Sequence, residues 1–334
     1  MGKYFRIVLS TFFLGLIIPN FSFSAKKIIN IISIILFLHL LAIAVQILFP
    51  SIVNPMAGFF NFDRDTELLD RLTIRNLGLA GSFDFAALLS VFGIYVFYLQ
   101  YKNTKKIMFL ILFLLAFLSC FRISRMAMIL GFFVFISISF ILLKNLSLFK
   151  KILITPILVG VFIVVFNFAF PILVGSLSFL QKTSLNKGYV IDRAEYSTSD
   201  KTLLDRHLFF PESTYKSIIG EGVKISGTDI GYVKTIFSIG IIGLLLIIMQ
   251  YLYMIRRVRK IKKRKTSTEL VQLCNYFIFF TIMLFVVNLK ILLLYSRGAH
   301  EFVLLMFFTI LTLHNMADTN DNKIENFNVR ETTF

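Results

Sequence analysis

Cysteine is nearly absent from this chain. There are two, Cys120 and Cys274, each inside an apolar run, so neither a disulfide framework nor a metal site is expected. Charge is sparse as well, at 16% of residues against 57% hydrophobic. No run of alternating ten-residue strands occurs, which excludes a transmembrane β-barrel. There is no P-loop, no GxGxxG after a strand, no HExxH, no CxxC and no serine nucleophile elbow. An ATP-driven engine is therefore not encoded and no cofactor is expected. Any chemistry must draw on an energised substrate delivered to the membrane's outer face. No internal repeat stands out, which speaks against an inverted-repeat transporter. No small-x-small site follows the first apolar run, so no cleavable signal peptide is expected.

What fills the chain instead is apolar sequence, including 40 phenylalanines. Crossing about 30 Å of hydrocarbon with the backbone internally bonded takes an apolar helix of roughly 20 residues. Segments of this kind lie at 5–23, 28–49, 77–99, 107–121, 126–143, 152–174, 230–255, 270–289 and 301–315. The expected fold is all-α: a polytopic membrane helix bundle of about nine or ten transmembrane helices, one integral membrane domain over 1–334. Pro19-Asn20 interrupts the first segment, for which a re-entrant path is the alternative.

The net charge of +17 does not point to nucleic acid. Much of it lies in short clusters between apolar runs: Lys26-Lys27, Lys102/Lys105/Lys106, Lys144/Lys150/Lys151 and the run 256–265. These fall in alternate loops, and placing them in the cytoplasm is self-consistent along the chain. That orientation puts the tail 316–334 inside and the N-terminus outside. Three regions then face out: the loop 50–76, the tight turn FRISR at 121–125, and a large extracytoplasmic loop at 175–228. A loop this long is uncommon unless it functions or is disordered.

The large loop meets the membrane in Ile218 to Gly243, a polar, glycine-broken stretch running into an apolar helix. Gly220, Gly222 and Gly227 free the backbone for turns. Gly231, Gly240 and Gly243 offer places where another backbone comes close. Asp229 and Lys234 stand where that helix leaves water, and charges there need a partner or a purpose.

Other charges gather on the same outer side. Arg122 and Arg125, three apart, would share a face on a helix. Snorkelling to lipid phosphates is their ordinary fate; capture of a pyrophosphate is the functional one, for which the guanidinium fork is suited. Lys290, Arg297, His300 and Glu301 would form one polar face on a continuous helix, unless Gly298 breaks it. The plainer alternative is a local Arg297–Glu301 pair with His300 at the interface. In the large loop Arg193, Arg206 and His207 stand near Asp192, Glu195 and Asp205, where most charges are simply solvated. The stretch 62–71 has calcium-loop spacing but lacks the glycine and the closing glutamate.

These elements resemble a family. Ser124-Arg125 before an apolar span looks like the "SR" signature of bacterial O-antigen polymerases and ligases. IIGEGVK followed by TDIGYVKTIFSIGIIGLLL looks like that family's junction between its large outer loop and the next helix. RLTIRNLGLAGSFDFAALLSV resembles its approach to a membrane span, and NLKILLLYSRGAHEFVLLMFF its late "K … R-G" element. The likeness lies in the order of short elements over most of residues 70–310.

The resemblance implies a metal-independent membrane glycosyltransferase in the bacterial cytoplasmic membrane. Its substrate would be an undecaprenyl-pyrophosphate-linked oligosaccharide; its partners would be membrane lipid, a chain-length regulator and a flippase. Arg125 and a loop arginine (Arg193 or Arg206) match the arginines that bind the pyrophosphate. Asp229 stands where the ligases carry a histidine, a departure that favours a polymerase of O-antigen or capsule repeat units. On this reading Arg125 and Asp229 are catalytic, the latter accepting or positioning the proton of the attacking sugar hydroxyl. Arg122, Arg193, Arg206, His207, Lys290, Arg297 and His300 bind substrate. A ligase, or a flippase performing no covalent chemistry, is the competing reading.

Overall fold

Serine starts four of the helices. In the computed structural model Ser24, Ser82, Ser124 and Ser267 each stand just before a helix. Each side-chain oxygen accepts from the backbone N–H three residues on: Lys27, Phe85, Ala127 and Leu270, at 3.1–3.2 Å. This satisfies one of the donors that every helix start leaves open, which matters most where no water can do so. The structure describes residues 17, 24–49, 51, 78–80, 82–144, 160, 211, 213–222, 230–264, 267–289, 292–294 and 298–331; for 125, 142 and 317–331 it describes the backbone alone.

Among the described residues all regular structure is helical. The helices are α1 (Ala25–Leu48), α2 (Phe83–Thr104), α3 (Ile107–Ile123), α4 (Arg125–Lys144), α5 (Thr214–Ile219), α6 (Gly231–Lys263), α7 (Thr268–Val287) and α8 (Ala299–Glu331). Five carry a stretch long and apolar enough to cross a membrane: α1, α2, α6, α7 and Ala299–Met316 of α8. Ile107–Ile123 and Met126–Ile141 are shorter apolar helices. Large apolar side chains also face outward, among them Ile107, Phe133 and Phe140. Together these mark a membrane protein that is all-helical among the described residues. The expected segments 5–23 and 152–174 and the loops 50–76 and 175–228 lie largely outside the described residues.

The chain divides into two compact units. One comprises Ile43–Phe210 with Ile225–Asp229. At its centre α2 is buried almost all round from Ala86 to Tyr98, with α3 and α4 packed against it. α3 buries one stripe, Leu112, Phe113, Ala116, Phe117, Cys120 and Ile123, at the three-to-four-residue spacing of a helix face. Phe117 stacks on Phe135 of α4 with ring centroids 3.9 Å apart, and Phe113 lies 5.1 Å from the same ring. A Cβ on Gly131 would meet Cys120 Sγ at 2.9 Å, so α3 and α4 approach closely there. In lipid such contacts act through packing, since hydrocarbon surrounds both states. At the end of α1, Gln46 bonds both backbone groups of Gly78. Its Nε2 donates to the Gly78 carbonyl (3.3 Å) and its Oε1 accepts from the Gly78 N–H (3.0 Å).

The other unit comprises Met1–Ala42, Pro211–Lys224 and Ile230–Phe334. Here α6 packs on α7, α7 on α8, and α5 on α6. α6 corrects the expectation of one continuous helix over 230–255: it is broken at Gly240, whose φ of 71° and ψ of 177° are not helical. The two halves are not collinear. The Tyr232 hydroxyl donates to the Phe285 carbonyl (2.9 Å), and the Tyr251 ring sits 5.5 Å from the Phe285 ring. On a straight helix those tyrosines would stand roughly 28 Å apart, farther than side chains meeting at Phe285 can bridge. α8 continues as helix past the expected end at 315 to Glu331, its apolar part ending at Met316.

Candidate functional site

A break inside a membrane helix frees backbone groups that must find partners. At Gly240 they find the end of α5. The Phe237 carbonyl accepts from the Glu221 N–H at 2.7 Å. Gly220 has φ 90°, and a Cβ there would lie 2.5 Å from Gly240 N; one on Gly240 would fall 2.1 Å from the Ile218 carbonyl oxygen. Two backbones therefore touch through two glycines, at positive φ where L side chains are strained. Lys216 and Glu221 flank the contact, 3.6 Å apart and partly exposed.

Beyond the break, polar side chains gather between α6, α7 and α8. Asn288 ends α7, its N–H bonded back to Leu284, and is wholly buried. Its Oδ1 accepts from the N–H groups of Leu293 (2.9 Å) and Leu294 (3.2 Å), which fixes the turn toward α8. The Tyr232 hydroxyl lies beside its amide. Tyr251, also wholly buried, donates to the Leu294 carbonyl at 2.5 Å and lies 2.8 Å from His300 Nδ1. Glu301 Oε2 accepts from the Gly298 N–H at 2.5 Å, reaching back to the residue before the helix as the acidic half of a capping box does. A polar chain thus runs from Asn288 through the turn to Tyr251 and the first residues of α8.

Two expectations about shared helix faces are corrected. Arg122 and Arg125 do not lie on one helix. Ser124 between them is extended (φ −161°, ψ 158°), ending α3 and capping α4. Arg122 is exposed in the last turn of α3, and Arg125 is the first residue of α4. Nor does a continuous helix join Lys290 to Glu301. α7 stops at Val287, Gly298 takes φ 91°, and α8 begins only at Ala299. His300 is 2% exposed, held within the protein beside Tyr251.

Asp229, Arg193, Arg206, His207, Lys290 and Arg297 lie outside the described residues. Of the expected site residues the structure thus describes Arg122, the Arg125 backbone and His300. Tyr251, Asn288 and Tyr232 were not anticipated. A polar residue within an apolar run is the signal that marks Asn288; a tyrosine among apolar neighbours gives none. Among the described residues no group of three His, Cys, Asp or Glu could hold a metal ion. No family model, curated protein or solved structure matches the chain.

Proposed function

We propose that this protein is a polysaccharide polymerase of the outer face of the bacterial cytoplasmic membrane. It transfers a glycan from undecaprenyl pyrophosphate to the non-reducing end of another lipid-linked repeat unit, of O-antigen or capsule type. The observation that carries the reading is the glycine contact. Gly220 belongs to the G-E-G stretch and Gly240 to the downstream G-x-x-G, the two parts of the junction on which the family resemblance rests. These two glycines are the ones that touch, at backbone distances a side chain would prevent. Further support is the order of the remaining elements, with Ser124 of the S-R pair serving as a helix cap.

In this reading about nine or ten helices cross the membrane and the loop 175–228 faces the periplasm. Arg125, with Arg122 and a loop arginine (Arg193 or Arg206), holds the donor pyrophosphate. The guanidinium charges stabilise the leaving group as negative charge develops. Asp229 accepts the proton of the attacking sugar hydroxyl while the anomeric carbon–oxygen bond to pyrophosphate breaks. Lys290, Arg297, His207 and His300 contribute to substrate binding.

The test uses purified protein in detergent with undecaprenyl-pyrophosphate-linked repeat units, without added metal or nucleotide. A ladder of lengthened lipid-linked glycans is expected from the wild type, and none from Arg125→Ala or Asp229→Asn. A ladder surviving both substitutions would keep the activity and remove the assigned site. No ladder from folded, substrate-bound wild type would favour ligation or lipid flipping instead.

A further inference from the structure

We infer that Tyr251 is a positioning residue that sets the tautomer of His300. A carbonyl oxygen only accepts, so the short contact between Tyr251 Oη and the Leu294 carbonyl needs the phenolic proton between them. That proton is then not available to the imidazole. The 2.8 Å contact to His300 Nδ1 must be made the other way, with Nδ1–H donating to the Tyr251 oxygen. A neutral ring carrying its proton on Nδ1 has Nε2 as its basic nitrogen, and any hydrogen bond Nε2 makes to a donor it makes as acceptor.

The arrangement is built, not incidental. The Leu294 carbonyl is aimed by the turn that Asn288 Oδ1 fixes through the Leu293 and Leu294 amides. The Tyr251 ring is fixed edge-on between Phe285 (5.5 Å) and the His300 ring (5.8 Å). His300 is itself anchored in the first turn of α8, where Glu301 closes the helix start on Gly298. Three elements therefore converge on one proton position. This assignment deepens the polymerase reading and rests on it for its consequence. In that reading His300, only 2% exposed, supports the binding region from within the protein, and Tyr251 acts through it without touching substrate.

The experiment is 15N spectroscopy of histidine-labelled full-length protein in detergent, at a pH where imidazoles are neutral. Difference spectra against His300→Gln assign the ring among the four histidines. The wild type is expected to show a protonated Nδ1 and a bare Nε2. Tyr251→Phe keeps the packed ring and removes the acceptor oxygen, so the Nδ1–H population falls and the second tautomer appears. In the ladder assay the same variant is expected to raise KM roughly tenfold, with kcat changed less than about twofold. An Nε2-protonated ring in the wild type overturns the assignment without recourse to any variant. So does a Tyr251→Phe protein whose tautomer and KM both match the wild type. If no protein makes a ladder while the tautomer shifts as expected, the polymerase reading fails and the role of Tyr251 stands.

Discussion

A single hydroxyl at Ser124 decides how the arginines on either side are presented. Because Ser124 Oγ accepts from the Ala127 amide, α3 and α4 are separate helices and Arg125 occupies a first-turn position. Ser124→Ala is expected to cost about 1 kcal/mol, seen as a lowered thermal midpoint in detergent, with Ser124→Thr close to wild type. The cap was within reach of sequence reasoning, because a serine between two apolar runs is a helix-start signal. Reading Arg122 and Arg125 by their spacing alone assumed a continuous helix and missed it. Tyr251 was not legible at all. Its partners are a carbonyl and a ring far along the chain, and nothing in the apolar stretch around it says which carbonyl it will meet.

Gly240 governs the element scale. With φ 71° and the Ile218 carbonyl lying where a Cβ would go, Gly240→Ala combines backbone strain with a direct clash. It should destabilise by more than about 3 kcal/mol, measured by thermal unfolding or by loss of folded yield. Gly222→Ala is the companion experiment. Its φ is 70° but nothing lies within 4 Å of the added carbon, so the cost should be only the conformational one, about 1–2 kcal/mol. If the two variants behave alike, the contact with α5 is not what the break serves. The apolar runs announced α1, α3, α4 and α7 with ends close to those observed, and α2 with both ends placed too early, because hydrophobic length is a direct physical requirement of a span. The break was not announced. Glycine is frequent in membrane helices for close packing, and composition does not say whether a given glycine packs or turns.

For the molecule as a whole, the apolar faces of α1, α3 and α4 turned outward leave hydrocarbon as their fitting solvent. The chain is expected to stay in the membrane pellet after alkaline carbonate washing; release into the supernatant would contradict the spans. Cys120 and Cys274 are both wholly buried, so maleimide labelling should be slow in the folded protein and appear with unfolding. The membrane class was readable from the length of the apolar runs, while the packing that places each polar group was not, since it depends on pairings between distant residues. The amide of Gln46 shows what such a pairing entails. By clasping both backbone groups of Gly78 it ties the end of α1 to the approach of α2, whatever the intervening residues do. Chain length added between two points so tied costs little, about 0.6 kcal/mol of closure cost for each doubling. Insertions there should leave α2 in place, whereas Gln46→Leu would strand two backbone groups and release the approach to α2.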